Sequence, residues 1–334
     1  MSPHDAQPSP FPQSRPRRLR RSAAMRELVA ETRLSAADVI APLFVREGIT
    51  TPQPIASLPG VVQHTRESLR AEVRQLASLG VRSVILFGIP ASKDEIGSAA
   101  WDPNGIVQVS LRDLRNDVGD DMVLMADCCL DEYTSHGHCG VVRPDGHVDN
   151  DATIELYARA AVAQANAGVH VVAPSGMMDG QVAAIRAALD ANGHHDVAIL
   201  AYSAKYASAL YGPFRDAVDV RIAGGGDRKG YQQDWRNARE ALVEVSADLA
   251  QGADMVMVKP AVTYLDVIAA VRASCNVPVA AYHVSGEYSM IKAAAANGWI
   301  DGDAVAIEQL TAIKRAGADL ILTYFARDVA ERWS

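Results

Sequence analysis

Aromatic residues make up only 6% of the 334-residue chain, so its apolar mass comes from Ala, Val, Ile and Leu. That mix suits close-packed α/β layers. No apolar run approaches the roughly 18 residues that cross a bilayer, so no membrane association is expected. Four cysteines are too few for a disulfide framework. With no signal-peptide pattern, the expected compartment is a reduced cytoplasm. Positive charge is not in excess: the net charge is −8, which argues against a general affinity for nucleic acid. The phosphate-binding fingerprint GxGxxG does not follow the first apolar run, which weighs against an open dinucleotide-binding sheet.

What the chain does have is a repeat. LASLGVRSVILFG, QANAGVHVVAP, AQGADMVMVK and KRAGADLILTY each join an Ala-rich helical stretch to a short β-branched run through a Gly. Strand-length apolar runs start at Val39, Ser83, Asp121, Val169, Val197, Asp254, Val277 and Asp319. Eight such runs, apolar on both faces and spaced by enough residues to hold helices, predict a closed (β/α)8 TIM barrel over 39–334. Residues 1–38, Pro-rich at first and then basic over Arg15–Arg21, are expected to form an N-terminal arm whose start is disordered.

A barrel of this kind carries its chemistry at the C-terminal strand ends. Those ends hold Asp127, Ser175, Tyr202, Lys205, Lys259, Ser285 and Tyr324. Lys259 closes the run MVMV and Lys205 follows AILAYSA, so both lysines are placed to face one pocket. Burial and mutual repulsion lower a lysine's pKa, and a neutral amine attacks a ketone to form a Schiff base. The stretch 204–253 reads as a lid on which Arg215, Arg228 and Lys229 are placed to capture substrate carboxylates.

Residues 125–140, MADCCLDEYTSHGHCG, concentrate three cysteines and two histidines. Cys128 and Cys129 are adjacent and point opposite ways on an extended segment, so no CxxC redox pair is expected. Cys129, Asp131 and Cys139 form C-x-D-x7-C, a candidate catalytic zinc site with an open fourth position. His136 and His138 are expected to orient the loop or substrate, and Cys275 to lie in the core.

YTSHGHCG, APSGMMDG, YSAKYAS, YGPFRDA, GDRKGYQ, MVKPA, YHVSGEYSMIKAA and KRAGADLILTY, in this order, resemble the porphobilinogen synthase (5-aminolevulinate dehydratase) family from about Arg17 to the C-terminus. The resemblance implies condensation of two molecules of 5-aminolevulinate to porphobilinogen, with loss of two waters, in tetrapyrrole and heme biosynthesis. It implies that Lys259 holds the first-bound substrate and Lys205 the second, each as a Schiff base. Arg215 and Arg228 become carboxylate binders on the lid, and Ser285 and Tyr324 bind the carboxylate of the first substrate. Zinc-dependent relatives resemble D-x-C-x-C-x-Y-T-S-H-G-H-C-G, so Asp131 stands where they carry the middle cysteine, giving a hybrid zinc site. Gly176 stands where many relatives carry Asp. Glu244 falls at the position of an allosteric Mg²⁺ ligand, and the family implies a homo-octamer in which the arm embraces a neighbouring barrel. Two other readings are a keto-acid aldolase on the same barrel, which needs one lysine and no thiolate metal site, and a zinc-stabilised nucleic-acid-binding protein.

Overall fold

A computed structural model describes residues 11–222 and 226–333. Residues 1–10 of the expected arm and 223–225 of the expected lid lie outside the described residues. The chain divides into two compact units, Met1–Arg33 and Leu34–Ser334. In the first, a 3-10 turn at Pro16–Arg20 and a short helix at Ala23–Leu28 bury no side chain.

The second unit is a barrel of parallel strands: β1 (Val39–Arg46), β2 (Ser83–Ile89), β3 (Val123–Cys128), β4 (Val171–Pro174), β5 (Ala198–Lys205), β6 (Met255–Lys259), β7 (Val279–His283) and β8 (Leu320–Thr323). Each pairs with the next, and β8 closes on β1 with Val39 opposite Ile321 and Ile40 opposite Leu322. All eight apolar runs are strands, as the pattern predicts, because strands covered on both faces need no polar alternation. A small antiparallel hairpin, Gln53–Pro54 with Val62–His64, adds to the edge of β1.

The helices form for local reasons. Arg66–Ser78 buries Leu69, Val73 and Leu76, spaced i, i+4, i+7, and the Thr65 side chain accepts the Ser68 N–H at its start. Asp149 and Asp301 cap Asn150–Asn166 and Gly302–Ala316 in the same way. The repeated Gly acts as read from the sequence: Gly80, Gly168, Gly252 and Gly317 have φ of 90°, 94°, 103° and 121°, a region that L side chains rarely adopt. Cys275 is buried in the core.

One irregularity matters for the site. β5 pairs Ala201 with Val256 but Lys205 with Lys259, so one extra residue is accommodated in β5 between these points. Without this bulge Ala204 would oppose Lys259, and Lys205 would point to the outer face. A one-residue shift reverses every side chain that follows it. The bulge is what turns Lys205 inward beside Lys259.

Candidate active site

Lys205 and Lys259 are 4% and 5% exposed, and lie opposite each other on neighbouring strands. The Lys259 Nζ sits among four rings, 4.4 Å from the centroid of Tyr282, 5.0 Å from Tyr211, 5.1 Å from Phe214 and 5.3 Å from Tyr202. Burial first, then the nearby Lys205 charge, lowers its pKa from 10.5 to about 7. Lys205 differs from the expectation of two repelling, depressed lysines. Burial would lower it too, but Cys139, Cys129, Asp131 and Asp127 outweigh burial and raise its pKa. Its Nζ donates to the carbonyl of Ser175. The pair is therefore unequal, with one amine close to neutral and one firmly an ammonium.

Asp127, on β3, accepts from the Ser175 hydroxyl at 3.2 Å. Burial raises its pKa to about 6 against the pull of Lys205 and Lys259. Its Oδ1 and the Tyr202 hydroxyl are buried without a hydrogen-bond partner among the described residues.

The ligand atoms of Cys129, Asp131 and Cys139 all lie within 4.8 Å of one another, and all three residues are buried. Cys128 faces the other way, toward the Tyr157 carbonyl, as alternation requires. Burial pushes the Cys129 thiol up, while the neighbouring Cys129 thiol, against burial, brings the Cys139 thiol down from its ordinary value. Two sulfurs and a carboxylate within reach of one centre fit a thiophilic divalent cation such as zinc. Tyr157, from helix Asn150–Asn166, braces this cluster by donating to Cys129 Sγ at 3.3 Å and the Cys139 carbonyl at 2.9 Å. A Cβ at position 176 would stand 2.0 Å from the Tyr157 hydroxyl, so Gly176 makes room for that brace.

The structure places Arg228 differently from an open lid cation. It is 9% exposed, pairs with Asp131 at 2.8 Å and donates to the Gly137 carbonyl at 2.8 Å. Against burial, Arg228 and Lys205 hold the Asp131 carboxyl well below the usual carboxylate range. Glu132, missed in the sequence, is the complement: burial and the Asp131 and Asp127 charges push its pKa far up, and both of its carboxyl oxygens are buried without a hydrogen-bond partner among the described residues. Its signal was only adjacency to Asp131. His136 holds the loop, its Nδ1 accepting the His138 N–H at 3.1 Å and its Nε2 facing the Glu95 carbonyl at 3.0 Å.

Arg215 lies half-buried on helix Gly212–Ala217 and lines a cavity of about 640 Å³ with Arg46, Lys93 and Arg221. Ser285 accepts the Phe214 N–H at 3.0 Å and donates to the Leu210 carbonyl at 3.3 Å, which ties that helix to the end of β7. Tyr324 shares a 3.0 Å hydrogen bond with Tyr282, whose ring is beside Lys259. Lys259, Ser285 and Tyr324 thus belong to one neighbourhood, and Lys205, the thiols and Asp131 to the adjoining one. Glu244 stands apart in a cavity of about 680 Å³ that His138 and Tyr231 also line; burial and Asp248, Asp179 and Glu240 raise its pKa to about 7.

A closed parallel barrel with amines, thiols and carboxyls gathered at its strand ends places the protein among the (β/α)8-barrel enzymes. The comparisons narrow this. The sequence model described as Delta-aminolevulinic acid dehydratase matches residues 13–332. The dehydratases of Streptomyces coelicolor and Mycobacterium tuberculosis are 60% and 59% identical, the alignments covering 96% of this chain and 97% and 98% of theirs. A crystal structure of the Toxoplasma gondii enzyme, in complex with the reaction product porphobilinogen, superposes with a TM-score of 0.93 at 44% identity, covering 96% of this chain and 91% of that one. The chain belongs to the delta-aminolevulinic acid dehydratase, or porphobilinogen synthase, family.

Proposed function

We propose that the protein condenses two molecules of 5-aminolevulinate to porphobilinogen through imines on Lys259 and Lys205, as a step of tetrapyrrole and heme biosynthesis. The observation that carries this reading is the unequal lysine pair in register at one barrel mouth. Lys259, with a large share of neutral amine at physiological pH, attacks the C4 ketone of the first substrate and releases one water. Its aromatic surround excludes water that would hydrolyse the imine. Ser285 and Tyr324 receive the carboxylate of this substrate.

Lys205 reacts second, after giving up its proton to a neighbouring base. Asp127, with a pKa of about 6 and an unpartnered Oδ1, is within the charge field of both lysines and fits that part. The second imine releases the second water. Loss of a C3 proton next to an imine gives an enamine, whose carbon attacks the other imine carbon. Attack of the free amino group then closes the ring, and both lysines leave as amines. Arg215 serves the carboxylate of the second substrate, joined by Arg228 through its Nε, which has no partner among the described residues although Nη2 is held by Asp131 and the Gly137 carbonyl. Cys129, Asp131 and Cys139 would hold a zinc ion, which when bound supplies Lewis-acid polarisation at this end of the site.

Pyrrole formation from 5-aminolevulinate, with borohydride trapping of both lysines, tests the proposal. No pyrrole, with or without Zn²⁺, would reject it. Glu244, with Glu240, Asp179 and Asp248 close by, is proposed to bind an activating Mg²⁺; stimulation by Mg²⁺ that persists in Glu244→Ala would reject that role. The arm leaves Leu19, Leu28 and Val29 exposed, 51%, 74% and 42%, which supports burial against another copy in a homo-octamer, and the cytoplasm is the proposed compartment. Removal of residues 1–24 should then reduce the mass measured by light scattering.

A further inference from the structure

Helix Ser285–Ala296 starts two residues after β7, and its third residue turns a carboxylate back into the protein. Glu287 is 2% exposed. Its Oε2 accepts the Val284 N–H at 2.7 Å, as in any capping box. Its Oε1 accepts the Val262 N–H, also at 2.7 Å, and the N–H groups of Ala261 and Thr263 face the same carboxylate. A helix cap needs only the first of these contacts. The other three come from a different segment, the loop that leaves β6 directly after Lys259 and Pro260.

β6 and β7 are held together by ladder pairs as far as Val258 opposite Ala281. No ladder pair follows that one, and Pro260 has no N–H to continue a ladder. Glu287 takes over there, joining the backbone just past Lys259 to the residue just before Ser285. We propose that Glu287 is a positioning residue that sets the spacing between Lys259 and Ser285, and thereby selects keto acids whose carboxylate lies two methylenes from the ketone. This rests on the reading in which Lys259 forms the imine and Ser285 receives the carboxylate of the same substrate. The lysine side chain is flexible, so the backbone separation is what must be constrained. A displacement of about 1 Å at a reacting centre costs on the order of a hundredfold.

The test measures imine formation at Lys259 by borohydride trapping and peptide mass, with the full-length protein at pH 8, above the Glu287 pKa of about 7. Three probes are compared: 4-oxopentanoate, which is the substrate without its amino group; 5-oxohexanoate, one methylene longer; and 2-butanone, which has no carboxylate. In E287Q one acceptor oxygen is replaced by an NH2 that opposes an N–H, so one of the two segments is released. E287D keeps the charge but is one methylene shorter, and it serves as the second variant.

Half-saturation for 4-oxopentanoate should rise at least about tenfold, the loss of about one charge-assisted hydrogen bond. Trapping of 2-butanone should be unchanged, and the preference for 4-oxopentanoate over 5-oxohexanoate should collapse. A purely structural Glu287 would weaken all three probes by the same factor, and that result would overturn the inference, as would an unchanged preference in both variants. If the unaltered protein traps no probe at Lys259, the catalytic reading itself fails, and the inference with it.

Discussion

Replacing Lys259 with Met should abolish product formation and at the same time make the protein more stable, by an amount that depends on pH. Burial, with the nearby Lys205 charge, takes the lysine from 10.5 to about 7, and at about 1.4 kcal/mol per pH unit this costs the folded, protonated form about 5 kcal/mol. Attraction to the four surrounding rings, on the order of 0.5–1 kcal/mol each, opposes burial but is smaller than the several kcal/mol of ammonium desolvation. Below pH 7 folded and unfolded chains both carry the proton, and the folded state bears the whole cost. Between pH 7 and 10.5 only the unfolded chain keeps it, so the unfolded state binds more protons and stability rises with pH. The gain from Lys259→Met is therefore about 5 kcal/mol at pH 6 and about 2 kcal/mol at pH 9. Urea unfolding of both proteins at the two pH values, at equal protein concentration, measures it. An equal gain at both pH values, or a loss at pH 6, would refute the depressed lysine and with it the argument that Lys259 reacts first.

Arg228→Met strands the Asp131 carboxylate in the interior, and should destabilise the protein by about 3–5 kcal/mol at neutral pH. Because Asp131 is held below its ordinary value, the stability it contributes is present above about pH 4 and lost as pH falls further, so the variant and the parent should converge in acid. Gly176→Ala should cost about 1–3 kcal/mol by overpacking against Tyr157, lower zinc retention by pulling the Tyr157 hydroxyl off Cys129, and be partly rescued by Tyr157→Phe. Unchanged melting and metal content would dismiss that contact. Asp131→Cys completes a three-thiolate set and should hold zinc through a chelator dialysis that strips the parent, read as metal per chain.

Periodicity, the helix-ending glycines and the eight apolar runs were all legible because each is a property of a few consecutive residues. Strand length, capping and the outward turn of Cys128 against the inward turn of Cys129 follow from local backbone geometry. So does the list of chemically capable residues at the strand ends. The bulge in β5 had no such signal: the place of Lys205 at the barrel mouth was legible, but AILAYSAK reads as an ordinary strand, and only its pairing with β6 shows the register shift that turns Lys205 inward.

Charge environment was hidden for the same reason. Two lysines at neighbouring strand ends look alike in sequence, yet Lys259 is enclosed by rings and Lys205 by thiols and carboxyls from β3 and the loop after it. Arg228 belongs to a polar stretch that reads as exposed, but its partner Asp131 is nearly a hundred positions away, and the ion pair exists only once the barrel has closed. The sequence by itself determined the strands, the helices, the barrel they build and the inventory of reactive groups, all set by short-range sterics and hydrophobic periodicity. Tertiary structure alone decided which lysine is neutral, which acid keeps its proton and which cation is already taken, because pairing register, desolvation and Coulomb energy depend on distances through space.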